Sequence, residues 1–571
     1  MLMLRPFAAS LAVIATLFST VQAIADGPLD LIPSDAAIVV RLKSPEGTIA
    51  KVGNFANQIQ PGIGFLVQGQ APALGIAISN PTLGGVDLKN DWYVAAFPKK
   101  DGEPDVVFVV PSTDSDAMKE AVGPGFTYAV KGDWVAYSMN PAATKKSQAC
   151  IDGKAKSLNL GRRAGGLFNE NDISIFVNIA TLTGAYAEEL DKAEDELARG
   201  LENFDESQAP PGVNAKALRE MIQTFGKTAL QAVRDADAFA AGVTFGEEAL
   251  TIDELLLVKA GSDSSKFLAA NPGSELALLG KVPQGELGYV ALDMDMSGFI
   301  KWGLGLAVSI MDGNEDAAKQ LEIVSKSLEE VKFGSVVTAF GLNTEGDDGI
   351  LRTVSVTEAT PASKLRSLVR DFSKLGAISS PGIKQEITVK EDAETYGKHK
   401  ADLVTVKQEF SPEADPLGIS QQMMDLFYGK EGATQRVVST DSLMIQTAGG
   451  GQDTMKATLA SLEGPAATSG AVVDARKLAL GKSNLVAMID LPNFLLKGAV
   501  AAGKSGMLPI PLPTEEIAKI KIPVSYLVIS VGTEPDGLRA KTALPIKMFK
   551  GFMEIQKFVQ QMQQNQLQNG F

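Results

Sequence analysis

Three times along this chain a short apolar stretch ends in Asn or Asp and runs into a helical pattern: "SIFVN" (Ser174 to Asn178), "YVALD" (Tyr289 to Asp293) and "VAMID" (Val486 to Asp490). Each is followed by helical stretches, then by two alternating runs around Gly, Pro or Asp, then by a further helix. The paired runs are "FAAGVTFGEEALTIDELLLV", "SVVTAFGLNTEGDDGILRTVSV" and "SYLVISVGTEPDGLRAKTAL", and their turn residues signal hairpins. Repetition at this scale governs what architecture is possible. The repeated order is strand, helices, hairpin, helix, near residues 172–270, 287–375 and 484–562.

A second kind of segment lies between these units. "DVVFVVPSTDSDAMKEAVGPGFTYAVKGDWVAYSMNPAATKKSQA" reads strand, helix, strand, strand, helix, and the order returns from "LVTVKQEF" to "DTMKATLAS". "AAIVVRLKSPEGTIAKVGNFANQI" is a shortened strand-helix opening. The series predicts a duplication into halves of 26–275 and 276–571, each plausible as one large domain. Hairpins beside helices predict an α+β fold, with antiparallel or mixed sheets and helices packed on one face. The strands alternate apolar and polar only in part, which predicts one partly solvated sheet face.

Composition narrows function. The formal net charge is -15, so neutralising nucleic-acid phosphates is disfavoured. The sole cysteine, Cys150, and sole histidine, His399, exclude an intrachain disulfide and a Cys/His zinc site. The N-terminus "MLMLRPFAASLAVIATLFSTVQAIADG" has the layout of a secretory signal peptide over 1–25. Arg5 is its positive region, Phe7 to Val21 its apolar run, and cleavage is predicted after Ala23 or Ala25. The expected location is the cell envelope, periplasmic or extracellular, with no transmembrane segment in the mature chain.

"GAVAAGKS" (Gly498 to Ser505) fits the phosphate-loop pattern G-x-x-x-x-G-K-[ST]. The context does not fit: seven residues separate it from the strand, and Pro509, Pro511 and Pro513 follow, so Lys504 is expected to be a surface charge and nucleotide binding is not predicted. Asn178, Asp293 and Asp490, with Asp295 nearby, recur as helix-starting caps. "DGNEDA" (312–317) and "EGDDG" (345–349) read as solvated turns, and "GFIKWGLGLAVSIM" (298–311) as a core helix. His399 is expected on an exposed hairpin, and Cys150 as a small buried residue after a helix. Phe552, Ile555, Val559 and Met562 give too few heptads for a coiled coil. The Gln/Asn-rich end, from about 560, is expected to fray, and Phe571 does not close a barrel strand.

"DAAIVVRLKSPEGTIAKV", "DVVFVVPSTDSDAMKEAV" and "GDWVAYSMNPAATKKSQA" resemble an uncharacterised family of large secreted bacterial proteins, a domain of unknown function. The likeness covers most of the mature chain. It implies no known activity and carries over no functional residue. No catalytic, cofactor-binding or metal-ligating residue is assigned. The expectation is an exported, non-enzymatic envelope protein with an interaction or scaffold role, its partner an unknown protein or apolar ligand. The alternatives are a carrier of an apolar ligand or lipid, and a carboxylate-dependent hydrolase.

Overall fold

The computed structural model describes residues 27–69, 71–100, 102–202, 204, 215–295, 324–343, 349–374, 382–505 and 513–568. The signal-like segment, 298–311, 312–317, 345–348 and Phe571 lie outside the described residues. The fold is α+β, and among the described residues every strand pair is antiparallel. The chain divides into two compact units, one of Met1–Ala56, Gly62–Ala187 and Asp237–Thr244, the other of Asn57–Pro61, Glu188–Ala236 and Phe245–Phe571.

The first unit holds β1 (Ile38–Leu42), β2 (Trp92–Phe97), β3 (Asp105–Pro111), β4 (Thr127–Lys131), β5 (Trp134–Ser138), β6 (Ile173–Asn178) and most of β7 (Ala236–Phe245). They pair in the order β4-β5-β3-β2-β1-β6-β7. The helices are set by local chemistry. Asp114 accepts from the Asp116 and Ala117 N–H groups and starts Ser115–Val122; Asn140, with Pro141 behind it, starts Pro141–Ile151. Buried Arg41 ties the sheet to the helix Gly161–Glu170: its Nη1 donates to the Phe168 and Asn171 carbonyls, and its Nε to Asp91 at 2.8 Å.

The second unit holds β8 (Ala249–Val258), β9 (Gly288–Leu292), β10 (Lys332–Leu342), β11 (Leu351–Thr360), β12 (Ile383–Tyr396) and β13 (His399–Phe410). It continues with β14 (Ala433–Ser439), β15 (Leu443–Ala448), β16 (Leu485–Ile489), β17 (Leu527–Glu534) and β18 (Gly537–Pro545). Their order is β12-β13-β14-β15-β11-β10-β9-β16-β17-β18-β8. The run β14-β15-β11-β10-β9-β16-β17 has the same connectivity as β4-β5-β3-β2-β1-β6-β7. The hairpin β12–β13 has no counterpart in this match.

Paired residues in an antiparallel sheet share a face. On one face of the second unit the registers bring Ala401, Val438, Ile445, Val356, Val337, Ala291 and Val486 into one row, all fully buried. Met455 and Leu459 of the helix Gly451–Glu463, and Val472 and Ala475 of Ala471–Leu478, cover it. The expected one-face packing has one departure in this unit. The helix Ala362–Lys374 lies on the opposite face, with Leu365 and Val369 against Val404, Val437 and Met444.

A buried ion cluster holds that helix. Asp402 is 1% exposed and accepts from Arg366 (Nε 2.8 Å) and Arg370 (Nε 2.6 Å, Nη2 2.7 Å), and from the Asp392 N–H (2.9 Å). Burial alone would push its carboxyl up; the two guanidinium groups and the N–H overcome this and hold it well below the usual carboxylate range.

Three local expectations need correction. Cys150 sits inside the helix Pro141–Ile151, not after it, because Asn140 starts the helix earlier and it runs to Ile151. His399 does follow the two-residue turn of the β12–β13 hairpin, but its side chain is only 14% exposed, 3.9 Å from Glu463. The Gln-rich end continues the helix Ile546–Gln568, anchored where Ile555 and Phe558 pack on Leu496, Val500 and Ile517.

Replacing Asp402 with Ala should cost about 3–5 kcal/mol, because two arginines lose their buried partner. A depressed carboxyl stabilises fully above its unfolded value, about 3.9, and that stability is lost as pH falls toward the folded value. Denaturant unfolding between pH 7 and 3 should therefore show a shallower acid loss in Asp402→Asn than in the wild type.

Candidate binding face

The central strands of the second unit are apolar on both faces but buried on one. "GYVAL", "LVAMI" and "LVISV" carry no charge, so hydrophobicity does not alternate along them. Burial does. Tyr289, Ala291, Val486, Met488 and Val528 are buried, while their neighbours Val290, Leu292, Leu485, Ala487, Leu527 and Ile529 are half-buried or exposed. The alternation follows from the two-residue side-chain period and from helices that, among the described residues, cover one face of these three strands.

The registers give the open face its geometry. Its middle row runs Thr338, Val290, Ala487, Ile529, Thr542, Ile252 across β10, β9, β16, β17, β18 and β8. One flanking row runs Val336, Leu292, Leu485, Val531, Ala540, Glu254; the other begins Phe340, Gly288, Ile489, Leu527. Val290 and Ile529, in the centre, are each 39% exposed. The Phe340 ring closes over Gly288, where an added Cβ would meet it at 2.1 Å and force it to move. Six strands and three rows span about 24 Å by 15 Å, a footprint on the order of 350 Å². That is the size of the largest apolar patch on a typical monomer, and such patches are often functional.

The lining has a definite chemistry. Branched aliphatic residues dominate, Phe340 is the aromatic, and Glu254, at the β8 edge, is the charge. Such a face offers hydrocarbon contact and few hydrogen bonds. Sequence reasoning anticipated a solvated face but named none of these residues. The signal available was the absence of polar residues at either parity in β9 and β16.

The residues singled out from sequence do not converge. Gly498 to Ser505 lies in the last turns of the helix Leu491–Ser505, which starts one residue after "VAMI". A phosphate loop needs helix-initiating N–H groups; here Lys504 sits exposed in the last turn, at the carbonyl-rich end. Asn178 accepts from the Thr181 N–H at 3.0 Å as an N-cap. Asp490, fully buried, accepts from the Asn493 N–H (3.3 Å) and side-chain amide (2.7 Å). Asp293 donates its N–H to the Asn484 carbonyl, and Asp295 its N–H to the Asn271 side chain. The Cys150 thiol is buried and donates to the Lys156 carbonyl, and burial pushes its pKa up.

Other concentrations of charge are internally matched. Glu394 accepts from Arg436 at 2.9 Å and from the Tyr396 hydroxyl, and Glu286 from Arg352 at 2.8 Å. A cleft of about 770 Å³, lined by Leu351 and Leu426 as well as by Lys430, Glu431 and Arg436, has charges of mixed sign. Among the described residues no group of three or more His, Cys, Asp or Glu is placed to hold a metal ion. Among them, too, no helix is long and apolar enough to cross a membrane.

No family model matches the chain, and no curated protein matches it. It is similar to two solved structures, crystal forms III and IV of TP0453, at 10% and 11% identity. They cover 48% and 50% of this chain and 97% and 98% of their own, with TM-scores of 0.21 and 0.20. At those scores the likeness carries no argument about fold or function.

Burial pushes the Asp490 carboxyl up, against the Asn493 and Ser525 donors. A raised carboxyl binds its proton more readily folded than unfolded, so stability falls as pH rises from about 3.9 through the folded value. Asn caps as well as Asp. Asp490→Asn should therefore be at least as stable as the wild type at pH 8, with a flatter pH dependence, whereas Asp490→Ala should lose about 1 kcal/mol with the cap. Thermal unfolding at pH 5 and pH 8 checks both.

Proposed function

We propose that this chain is an exported, non-catalytic binding protein of the cell envelope that takes up an apolar ligand with a hydrocarbon chain on the open sheet face of the second unit. The single observation that carries the reading is the contrast between the two faces of β9, β16 and β17. Both are apolar, and helices bury one. The signal-peptide layout and the resemblance to a secreted family supply the exported location. The matching strand orders support reading the chain as a duplication.

The size of the face favours a small ligand over a protein. A stable protein interface buries about 800 Å² on each partner, twice the footprint here. Protein-binding surfaces are also enriched in Tyr, Trp, Met and Arg, which these rows lack. A carboxylate-dependent hydrolase finds less support. Asp172, Asp402 and Glu286, the buried carboxylates with basic partners, are held by Lys51, by Arg366 and Arg370, and by Arg352.

Two measurements test the proposal. Native mass spectrometry of protein taken from its native envelope should show a co-purifying lipid. The delipidated chain should bind a fluorescent fatty acid saturably, and Ile529→Lys should weaken that binding at least tenfold while the far-ultraviolet circular dichroism is retained. Absence of saturable binding, or full binding by a folded Ile529→Lys, would overturn it.

A further inference from the structure

The first unit repeats the layout of the second at the level of faces as well as strand order. On one face Val39, Ala95, Val107, Phe176 and Ala240 are buried. The helix Gly161–Glu170 sits on this side, since Phe168 lies against Tyr93 and its carbonyl accepts from Arg41. So does Pro141–Ile151, whose Lys146 ammonium stands 5.0 Å from the Phe97 ring. Among the described residues the opposite face carries Ser115–Val122 and the helix Ala71–Ala77 at one end, where Met118, Leu74 and Ile78 pack with Trp92, Val110 and Tyr137. In the second unit Ala362–Lys374 holds the corresponding place, over β11 and β15.

Beyond that end of the sheet the registers line up Val94, Val40, Ile175 and Ala241 in one row across β2, β1, β6 and β7. A second row holds Ala96, Ile38, Val177 and Phe239. All eight are half-buried and none is charged, although the strands also carry a fully buried face. Ile173, at the margin of these rows, is 37% exposed. Four strands and two rows span about 14 Å by 7 Å, on the order of 100 Å², far below the 800 Å² or so that a protein partner needs and suited to a single hydrocarbon chain.

We infer that the first unit carries a second, separate site for an apolar ligand with a hydrocarbon chain, on the face formed by Ile38, Val40, Val94, Ile175, Val177 and Ala241, so that one chain binds two such ligands. The inference rests on the proposed function of the second unit, and stoichiometry separates the two. The probe is a fluorescent fatty acid titrated into the delipidated full chain. The wild type should bind two molecules. Ile173→Cys and Ile529→Cys, each blocked with a bulky uncharged maleimide, should each bind one, and the doubly blocked chain none. The native Cys150 is buried, so maleimide uptake by the wild type gives the background. The unlabelled cysteine variants should keep both sites, which shows that they fold. One molecule per chain, lost only when position 529 is blocked, would overturn the second site and leave the proposed function standing. No binding by the wild type would overturn both.

Discussion

The second unit depends on one row of contacts. From Ala401 on β13 through Val438, Ile445, Val356, Val337 and Ala291 to Val486 on β16, directly paired side chains form a continuous aliphatic floor across seven strands. Two helices and the segment from Leu276 to Val282 close it. The hydrophobic effect acts on area removed from water, and this is where the area is removed. Once the floor fixes the register, the side-chain period of two assigns every alternate residue to the other face. The open face is a consequence of the floor: the same strands, apolar at both parities, are covered on one side.

Charge plays the opposite part. Where a carboxylate is buried it is spent on holding elements together. Asp402 fastens the helix Ala362–Lys374 to the β12–β13 hairpin, and Glu286 meets Arg352 of β11. Asp172, next to β6, meets Lys51 of the helix Pro45–Ile59, and Arg41 of β1 fastens the end of Gly161–Glu170. These groups are matched by partners of fixed geometry, whereas the apolar rows of the open face have no helix packed on them among the described residues.

The local level of this structure was legible in the sequence. Hairpins marked by Gly, Pro and Asp, and caps at Asn178 and Asp490, depend on neighbours a few residues away. The repeated order of strand, helices and hairpin was visible for the same reason. The sheet order was not, because β9 lies between β10 and β16, and β16 is nearly two hundred residues further along the chain. β12 was read only as the arm before the His399 hairpin, and the charges of "KQEITVKED", which suit an outer strand, mask the length of its pattern. His399 read as exposed because its neighbours are polar, yet Glu463, from a distant helix, stands beside it. The open face was missed because apolarity says that a residue can be buried, not which face a helix will cover.

Side-chain footprinting of the delipidated chain with a photogenerated carbene probes the central claim most directly. Val290 and Ile529 should be modified, their buried neighbours Val486, Met488 and Val528 should not, and addition of a fatty acid should protect the first pair alone. Equal protection of both sets in the ligand-free chain would contradict the account.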